Sequence, residues 1–190
     1  HIITTLLAVP QVKEIVVDTD SPIIAAGLHE SFPMVKVIDR PEELRADDIS
    51  MNTILQYDIS QAPADFYLQT HSTNPLLKAA TISSAIDKFL AEYPAHDSLF
   101  TITRLQTRLY DHNGKAMNHD PRVLIQTQDL PPVYEENSCI YLFSAATLAR
   151  HGTRIGDTPI LFETDADESW DIDEEIDFKL VDLILQARKA

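Results

Sequence analysis

The stretch Glu14-Ile-Val-Val-Asp-Thr-Asp-Ser-Pro-Ile-Ile24 joins a short apolar run to the start of a helix. The three apolar residues after Glu14 are bounded by polar residues, which predicts a buried strand that ends in a loop. Ser21 suits the N-cap of the following helix, and Pro22 suits its first position, where the missing N–H costs nothing. A strand that leads directly into a helix is typical of α/β proteins.

The same alternation of strands and helices continues along the chain. Apolar runs predict strands at residues 34–38, 65–69, 98–103, 140–143 and 159–162, and helical spacing predicts helices at residues 2–7, 51–57, 76–93, 145–150 and 174–187. No internal repeat or linker divides the sequence. Residues 1–190 are therefore interpreted as one layered α/β domain with a mainly parallel sheet.

Composition narrows the possible partners. The chain has 190 residues, of which 44% are hydrophobic, and it carries 15 Lys and Arg against 30 Asp and Glu, a net charge of −15. Such a surface repels phosphate backbones and anionic lipids, so we expect no nucleic-acid and no membrane partner. With a single cysteine, no membrane-length apolar run and no secretory leader, the sequence predicts a soluble, cytoplasmic protein.

Glycine is scarce, and the four glycines are Gly27, Gly114, Gly152 and Gly156. None has the spacing of a Gly-rich phosphate loop. The first residue is His1, and helical apolar spacing follows it at once without a capping residue. We therefore expect the sequence to begin inside a structural element.

The region 163–177 is strongly acidic, and such a run is commonly a solvated face. Within it, Asp171 and Asp173 point the same way if the segment is extended. Neighbouring carboxylates repel each other, and a divalent cation relieves that repulsion; hard oxygen ligands suit Mg²⁺. Alternatively, Asp173 caps the final helix, an interpretation that still leaves Asp171 free to bind a metal.

Other polar residues are weaker candidates. Asp18 and Asp20 have the spacing of the nucleophile and general acid of haloacid-dehalogenase-type phosphatases, but helix capping at Asp20 and Ser21 explains them without catalysis. His71 follows the third predicted strand, at an edge where open α/β sheets bind ligands, although a lone loop histidine is more often a surface residue. Cys139 is interpreted as a buried, inert thiol.

Six segments, taken in order, resemble the acylneuraminate cytidylyltransferases, also called CMP-sialic acid synthetases. They are Ile15-Val-Val-Asp-Thr-Asp-Ser-Pro22, Asp39-Arg-Pro-Glu-Glu-Leu44, Tyr67-Leu-Gln69, Gln128-Asp-Leu-Pro-Pro132, Glu136-Asn137 with Ile140-Tyr141, and Ser169-Trp-Asp-Ile-Asp-Glu-Glu-Ile-Asp-Phe178. Each segment alone is weak evidence for the resemblance. Together they span nearly the whole chain at the family's spacing.

The resemblance implies a three-layer, nucleotide-sugar transferase-like (Rossmann-like) α/β fold and a Mg²⁺-dependent reaction. In that reaction the anomeric hydroxyl of a 2-keto sugar acid attacks the α-phosphate of CTP, which gives a CMP-sugar and pyrophosphate. By the same resemblance, Asp171 and Asp173 match catalytic, metal-binding aspartates, and Arg40 matches an arginine that contacts the nucleotide and adds a fixed cation. Residues that match the lining of the sugar-acid site are Gln69, Asn137 and Tyr141.

The sequence departs from the family in three places. The family's opening strand and its Gly-, Arg- and Lys-containing nucleotide loop have no counterpart here, so the resemblance implies an N-terminally incomplete domain that lacks activity as it stands. Thr127 stands where the family commonly carries an arginine for the sugar carboxylate. The loop 70–75 is longer than the usual form, which favours a nonulosonic acid other than the commonest sialic acid.

Residues 106–132 match a region that reaches a second subunit in the family, so the resemblance also implies a homodimer. The leading hypothesis is a CTP-dependent cytidylyltransferase for a nonulosonic acid. Alternatives are a ketodeoxyoctonate-type cytidylyltransferase and a catalytically incompetent fragment or paralogue that only dimerises or binds. A phosphatase that uses Asp18 and Asp20 is a more distant alternative.

Overall fold

The structure, a computed structural model, describes residues 1–188, so the last two residues of the predicted domain lie outside the described residues. The elements in chain order are α1 (Ile2–Leu7), β1 (Val16–Thr19), α2 (Pro22–Ser31), β2 (Lys36–Asp39), α3 (Met51–Gln61), β3 (Phe66–Gln69), α4 (Ala79–Glu92), β4 (Ser98–Leu105), β5 (Val133–Ser144), α5 (Ala145–His151), β6 (Pro159–Glu163) and α6 (Glu175–Ala187). Two 3-10 turns, Glu42–Leu44 and Thr127–Asp129, lie in the connections.

The strands form two groups. β1 pairs with β2 in parallel, and the other strands form a sheet in the order β3-β5-β4-β6. β5 is antiparallel to both β3 and β4, whereas β4 and β6 are parallel. β3, β4 and β6 therefore run in one direction, and the predicted α/β class with a mainly parallel sheet is confirmed.

β5 differs from its prediction in direction and in length. Residues 106–132 return the chain from β4 to its neighbour without a crossover helix, so the two strands are antiparallel. β5 also begins at Val133, which lies opposite Leu105 of β4, and not near residue 140. The first half of β5 is mostly polar, so apolar runs in the sequence did not predict it as a strand.

Two apolar clusters cover the two faces of the four-stranded sheet. One joins side chains of α1, α4 and the sheet, and its buried members include Leu6, Ile82, Phe89, Leu99 and Leu142. The other joins α3 and α5 to the opposite face through Leu55, Tyr141, Phe143 and Leu148. Residues 140–143 of β5 alternate between the clusters, as the strand period of two requires. Helices therefore cover both faces, which gives the three layers that the resemblance implied.

The helix ends follow local sequence features. The N–H of Ile24 donates to Ser21 Oγ at 3.3 Å, and Pro22 is the first residue of α2, as predicted. α5 ends at Gly152, whose φ of 68° is the left-handed conformation that favours glycine at a helix C-terminus. Among residues 1–188, no helix is long and apolar enough to cross a membrane.

The core position of α4 is testable at two neighbouring residues. Phe89 is fully buried, whereas Leu90 is 44% exposed. We expect Phe89→Ala to lower the free energy of unfolding by about 3–5 kcal/mol, because it removes a buried ring and leaves a cavity. Leu90→Ala is the matched control, with an expected loss below about 1 kcal/mol. Denaturant unfolding followed by circular dichroism measures both losses, and equal losses would contradict this packing.

Candidate active site

A cluster of polar side chains lies where β3 ends. Gln69, the last residue of β3, is opposite Tyr141 of β5. Arg154, between α5 and β6, donates from Nη1 to Oε1 of Gln69 at 2.6 Å, and its guanidinium carbon lies 3.4 Å from the centre of the Tyr141 ring. A hydrogen bond and a cation–π contact thus join the three side chains. The structure brings the predicted residues Gln69 and Tyr141 together.

A β-bulge shapes β5 next to Tyr141. Residues 137–140 of β5 lie opposite Thr101 of β4 alone, and Ser138 has a left-handed φ of 59°. Bulges are common beside active sites because they re-aim side chains. Here the Tyr141 hydroxyl donates to the Glu136 carboxylate and lies 3.2 Å from Ser138 Oγ. Burial, and then the hydrogen bond to Glu136, raise the pKa of Tyr141, so its phenol stays protonated.

Asn137 is buried and bonded within the protein. Its Nδ2 donates to Thr103 Oγ1 at 3.0 Å and to Thr164 Oγ1 at 2.7 Å, and its Oδ1 accepts from the N–H of Cys139 at 3.2 Å. Asn137 therefore fixes the bulge, and its contact with a sugar acid stays a prediction. Burial, followed by the charge of nearby Asp171, raises the pKa of Cys139 to about 12, which confirms the interpretation of an inert thiol.

Asp171 is held against the loop that follows β3. The N–H of Ile172 donates to the carbonyl of Thr73 at 3.0 Å. On the other side of Asp171, Asn74 Nδ2 donates to the carbonyl of Trp170 at 3.4 Å. These two bonds join the acidic segment to the β3–α4 loop, although nearly a hundred residues separate them in sequence.

His71 lies in the same loop and is half-buried, unlike the surface position that is more common for a lone loop histidine. Burial, and then the charge of Arg154, lower the pKa of His71, while Asp171 opposes them. The imidazole is therefore neutral near pH 7. His71 Nε2 and Asp171 Oδ1 are buried and have no hydrogen-bond partner within residues 1–188. Since buried polar atoms are nearly always bonded, these two atoms favour a polar ligand at this place.

The two predicted metal ligands differ in exposure, since Asp171 is half-buried and Asp173 is exposed. The alternative in which Asp173 caps the final helix is wrong. Glu174 is the N-cap of α6, and its N–H donates to Asp177 Oδ2 at 2.9 Å. The buried, unpaired Oδ1 of Asp171 and the exposed carboxylate of Asp173 are both hard oxygen donors. This set fits Mg²⁺, which keeps several waters and takes few protein ligands.

A second acidic group consists of Asp165, Asp167 and Glu168, whose carboxylate oxygens lie within 4.8 Å of one another. Cations already balance its charge. Lys78 Nζ lies 3.0 Å from Glu168 Oε1 and 3.3 Å from Asp167 Oδ2, and Arg188 Nη2 lies 3.0 Å from Asp167 Oδ2. These ion pairs give the group a structural explanation.

Glu168 also caps the helix α4. The N-cap residue of α4, Lys78, provides no side-chain cap. The buried Glu168 carboxylate accepts instead from the N–H of Lys78 at 2.9 Å and from Thr81 Oγ1 at 2.9 Å. A negative charge at a helix N-terminus is favourable, so a residue from a distant part of the chain fixes where α4 begins.

A second polar cluster surrounds Arg40, which directly follows β2. Arg40 Nε donates to Asp18 Oδ2 of β1 at 2.9 Å, and the Asp18 side chain is only 8% exposed. Burial, and then the charge of Asp18, raise the pKa of Asp58 on α3 to about 7. Asp18 is thus engaged by Arg40, whereas Asp20 is exposed. This arrangement disfavours the phosphatase hypothesis.

A cavity of about 620 Å³ extends between β1 and β3. Asp18 and Asp58 line it together with Gln69 and Thr70, and most of its other lining is apolar. On this side neither β1 nor β3 is paired, since β1 pairs with β2 and β3 with β5. The volume lies in the range of small-molecule sites, about 300–1,000 Å³.

Arg154 and Asp58 are the site residues that the sequence did not predict. Arg154 is 85 positions from Gln69, and Asp58 lies on a helix with no motif around it. The one available indication for Arg154 is the scarcity of basic residues, 15 in the whole chain.

Comparison with known proteins gives a full-length match. The sequence matches the family described as Cytidylyltransferase over residues 1–189. It is 24% identical over 187 residues to Post-translational flagellin modification protein B of Campylobacter coli, across 93% of this chain and 78% of that protein. It is 29% identical over 76 residues to CMP-N,N'-diacetyllegionaminic acid synthase of Campylobacter jejuni, across 40% of this chain and 32% of that protein.

Two solved structures share the fold. One is 4-diphosphocytidyl-2C-methyl-D-erythritol synthase, with a TM-score of 0.70 and 16% identity over 97% of this chain and 88% of that chain. The other is CMP:2-keto-3-deoxy-manno-octonic acid synthetase complexed with CTP, with a TM-score of 0.69 and 14% identity over 100% of this chain and 87% of that chain. These similarities confirm the predicted fold class.

The raised pKa of Asp58 predicts how stability depends on pH. The folded-state pKa, about 7, lies above the model-peptide value of 3.8. The stability that protonated Asp58 contributes is therefore full below about pH 4 and is lost as the pH rises through about 7. Asparagine does not titrate, so Asp58→Asn does not lose this stability as the pH rises. We expect the variant to gain about 1 kcal/mol over wild type between about pH 5 and pH 8, a value discounted for partial exposure.

Urea unfolding at about pH 5 and about pH 8 measures this gain in the free energy of unfolding. Asp48→Asn, at an exposed aspartate outside the cluster, is the control and should follow wild type at both. A difference between Asp58→Asn and wild type that is the same at both pH values would contradict the raised pKa.

Proposed function

The chain belongs to the cytidylyltransferase family, and we propose that it transfers CMP from CTP to the anomeric hydroxyl of a nonulosonic, sialic-type 2-keto sugar acid, with release of pyrophosphate. The observation that carries the proposal is the end of β3, where Gln69 and Tyr141, both matched to the sugar site, lie together and the following loop is bonded to the segment of Asp171, which is matched to the metal site. Open α/β sheets bind their ligands at such strand ends.

The names of two similar proteins support this substrate class. The Campylobacter jejuni relative is named as a synthase of CMP-N,N'-diacetyllegionaminic acid, and one solved structure is named as a synthetase of CMP:2-keto-3-deoxy-manno-octonic acid. Both names describe CMP joined to an acid. We therefore propose an acidic sugar as the acceptor, and a substrate panel is the way to identify it.

The proposed step forms one bond and breaks another. The anomeric oxygen bonds to the α-phosphorus of CTP, the bond from that phosphorus to the pyrophosphate group breaks, and the hydroxyl proton is released. Both substrates are anions, and the chain has a net charge of −15. Fixed local cations must therefore attract the substrates and stabilise the charge that develops.

We propose that Arg40 is one of these cations. Its Nε is bonded to Asp18, and its terminal guanidinium nitrogens have no hydrogen bond to residues 1–188. Asp18 therefore orients the guanidinium and leaves its remaining donors for the nucleotide.

Asp171 and Asp173 are the residues proposed to hold Mg²⁺. When bound, Mg²⁺ neutralises phosphate charge and lowers the pKa of a coordinated hydroxyl. The contribution of the chain is positional, because the bond from Ile172 to Thr73 keeps Asp171 beside the β3–α4 loop. The N-cap of α6 at Glu174 fixes the other end of the segment.

We also propose a homodimer formed through residues 106–132. This region exposes three consecutive apolar side chains, Val123 at 55%, Leu124 at 85% and Ile125 at 39%. Gln106 anchors the region, since its Nε2 donates to the carbonyl of Leu130 at 2.6 Å. Contiguous exposed apolar residues commonly mark interaction surfaces, and a second copy of the chain is the proposed partner.

The first test measures pyrophosphate. We expect the protein, together with any residues that its gene encodes beyond this sequence, to release pyrophosphate from CTP with Mg²⁺ and at least one member of a panel of nonulosonic acids. Ketodeoxyoctonate belongs in the same panel. Release with ketodeoxyoctonate alone would correct the substrate class, and no release with any acid would refute the proposed function.

Substitution of Asp171 tests the metal site. We expect Asp171→Asn to lower kcat by about 100-fold or more while the protein stays folded, because the change removes a charge and keeps the shape. Asp48→Asn, at an exposed aspartate outside the site, should keep wild-type turnover. Steady-state kinetics and circular dichroism give the two readouts. Wild-type turnover in Asp171→Asn would remove Asp171 from the metal site.

Substitution of Leu124 tests the dimer. We expect Leu124→Asp to shift the protein from dimer to monomer, because a charge at the centre of the apolar surface opposes its burial. Light scattering coupled to gel filtration gives the mass. Ile23→Asp, at a residue of α2 that is 83% exposed, is the control and should stay dimeric. A monomeric wild type, or a dimeric Leu124→Asp, would contradict this interface.

A further inference from the structure

Arg154 is a half-buried cation with no carboxylate partner among residues 1–188. Its side-chain contacts are the neutral Oε1 of Gln69 at 2.6 Å and the face of the Tyr141 ring. Arg40, Arg45, Arg122 and Arg188 pair with carboxylates, and the half-buried Arg108 donates to the carbonyl of Ile125. Because partial burial weakens hydration of a cation, an anion that reaches Arg154 gains more than it would at the surface.

The surroundings of Arg154 offer further donors at the same place. Since Gln69 Oε1 accepts from Arg154, the orientation of the Gln69 amide is fixed, and its Nε2 has no hydrogen bond to the described part of the chain. Tyr141 holds the guanidinium from one face. A guanidinium fixed on two sides loses little side-chain entropy when it binds a ligand.

Two unpaired buried atoms lie beside this unit. His71 follows Gln69 by two residues in the β3–α4 loop, and the bond from the N–H of Ile172 to the carbonyl of Thr73 holds the segment of Asp171 against the same loop. His71 Nε2 and Asp171 Oδ1 lack hydrogen-bond partners within residues 1–188. Polar groups without partners thus lie in the loop that begins after Gln69 and in the segment bonded to it, which favours a polar ligand at this end of β3.

We infer that Arg154 binds the carboxylate of the acceptor acid, with Gln69 Nε2 as a second donor, and that this contact selects acids over neutral sugars. The inference rests on the proposed function and deepens it. Guanidinium groups match carboxylates in a planar, two-bonded geometry.

The test compares an acid with its carboxamide. The probe is the panel acid with the highest kcat/KM on the wild-type protein, and the second substrate is the same sugar with its carboxylate replaced by a carboxamide. We expect wild type to prefer the acid by about 100-fold in kcat/KM, and Arg154→Met to reduce this preference below about fivefold. The loss should come from a higher KM for the acid, with the KM for CTP within about twofold of wild type.

Two further variants separate ligand binding from packing. Arg154→Lys keeps the charge without the two-bonded geometry, so we expect it to restore the preference for the acid only in part. Arg150→Met removes an exposed arginine of α5 and is the matched control, with wild-type preference expected. If Arg154 merely packs on Tyr141, Arg154→Met lowers the melting temperature and leaves the preference for the acid at its wild-type value, which would overturn the inference.

Binding measurements distinguish the two ways in which the proposals fail. Isothermal titration with the acid, in the presence of a non-hydrolysable CTP analogue, should give a dissociation constant for wild type and a constant about 100-fold weaker for Arg154→Met. If wild type turns over the acid and Arg154→Met keeps the wild-type preference for the acid over the carboxamide, the inference is overturned and the proposed function stands. If wild type neither binds nor turns over any acid of the panel, both the inference and the proposed function are overturned.

Discussion

The structure depends on the pairing of β5 with two neighbours at once. β5 lies between β3 and β4 and is antiparallel to both, so its residues 139–144 are buried on each side. Its side chains alternate between the two apolar clusters, and its bulge lies directly before Tyr141. A single strand therefore determines how the two helical layers attach and where the polar cluster forms. Changes in the register of β5 would move the core and the site together.

The charge distribution separates cations that stabilise the fold from cations that remain available. Lys78 and Arg188 are engaged by the acidic group around Glu168, whereas Arg154 has no carboxylate partner in the part of the chain that the structure describes. Arg40 has an intermediate position because Asp18 shares its charge. In a chain with a net charge of −15, the local arrangement of cations matters more to an anionic ligand than the overall charge.

Local features were predictable from the sequence, and long-range ones were not. Ser21 caps α2 through a bond that spans three residues, so its sequence pattern was sufficient. Glu168 performs a similar role for α4 from 90 positions away, and no local pattern reports such a pairing. Gln69 and Tyr141 were found by resemblance to a family. Arg154 and Asp58 were missed, because their roles arise from contacts that only the folded chain creates.

The cap that Glu168 provides for α4 ties two distant parts of the chain together. The first turn of α4 lacks a local cap, so its favourable N-terminal charge comes from the segment beyond β6. The same segment holds Asp171 three residues further on, bonded to the β3–α4 loop through Ile172. The start of α4 and the position of the acidic segment therefore depend on each other, and loss of the Glu168 carboxylate would loosen both.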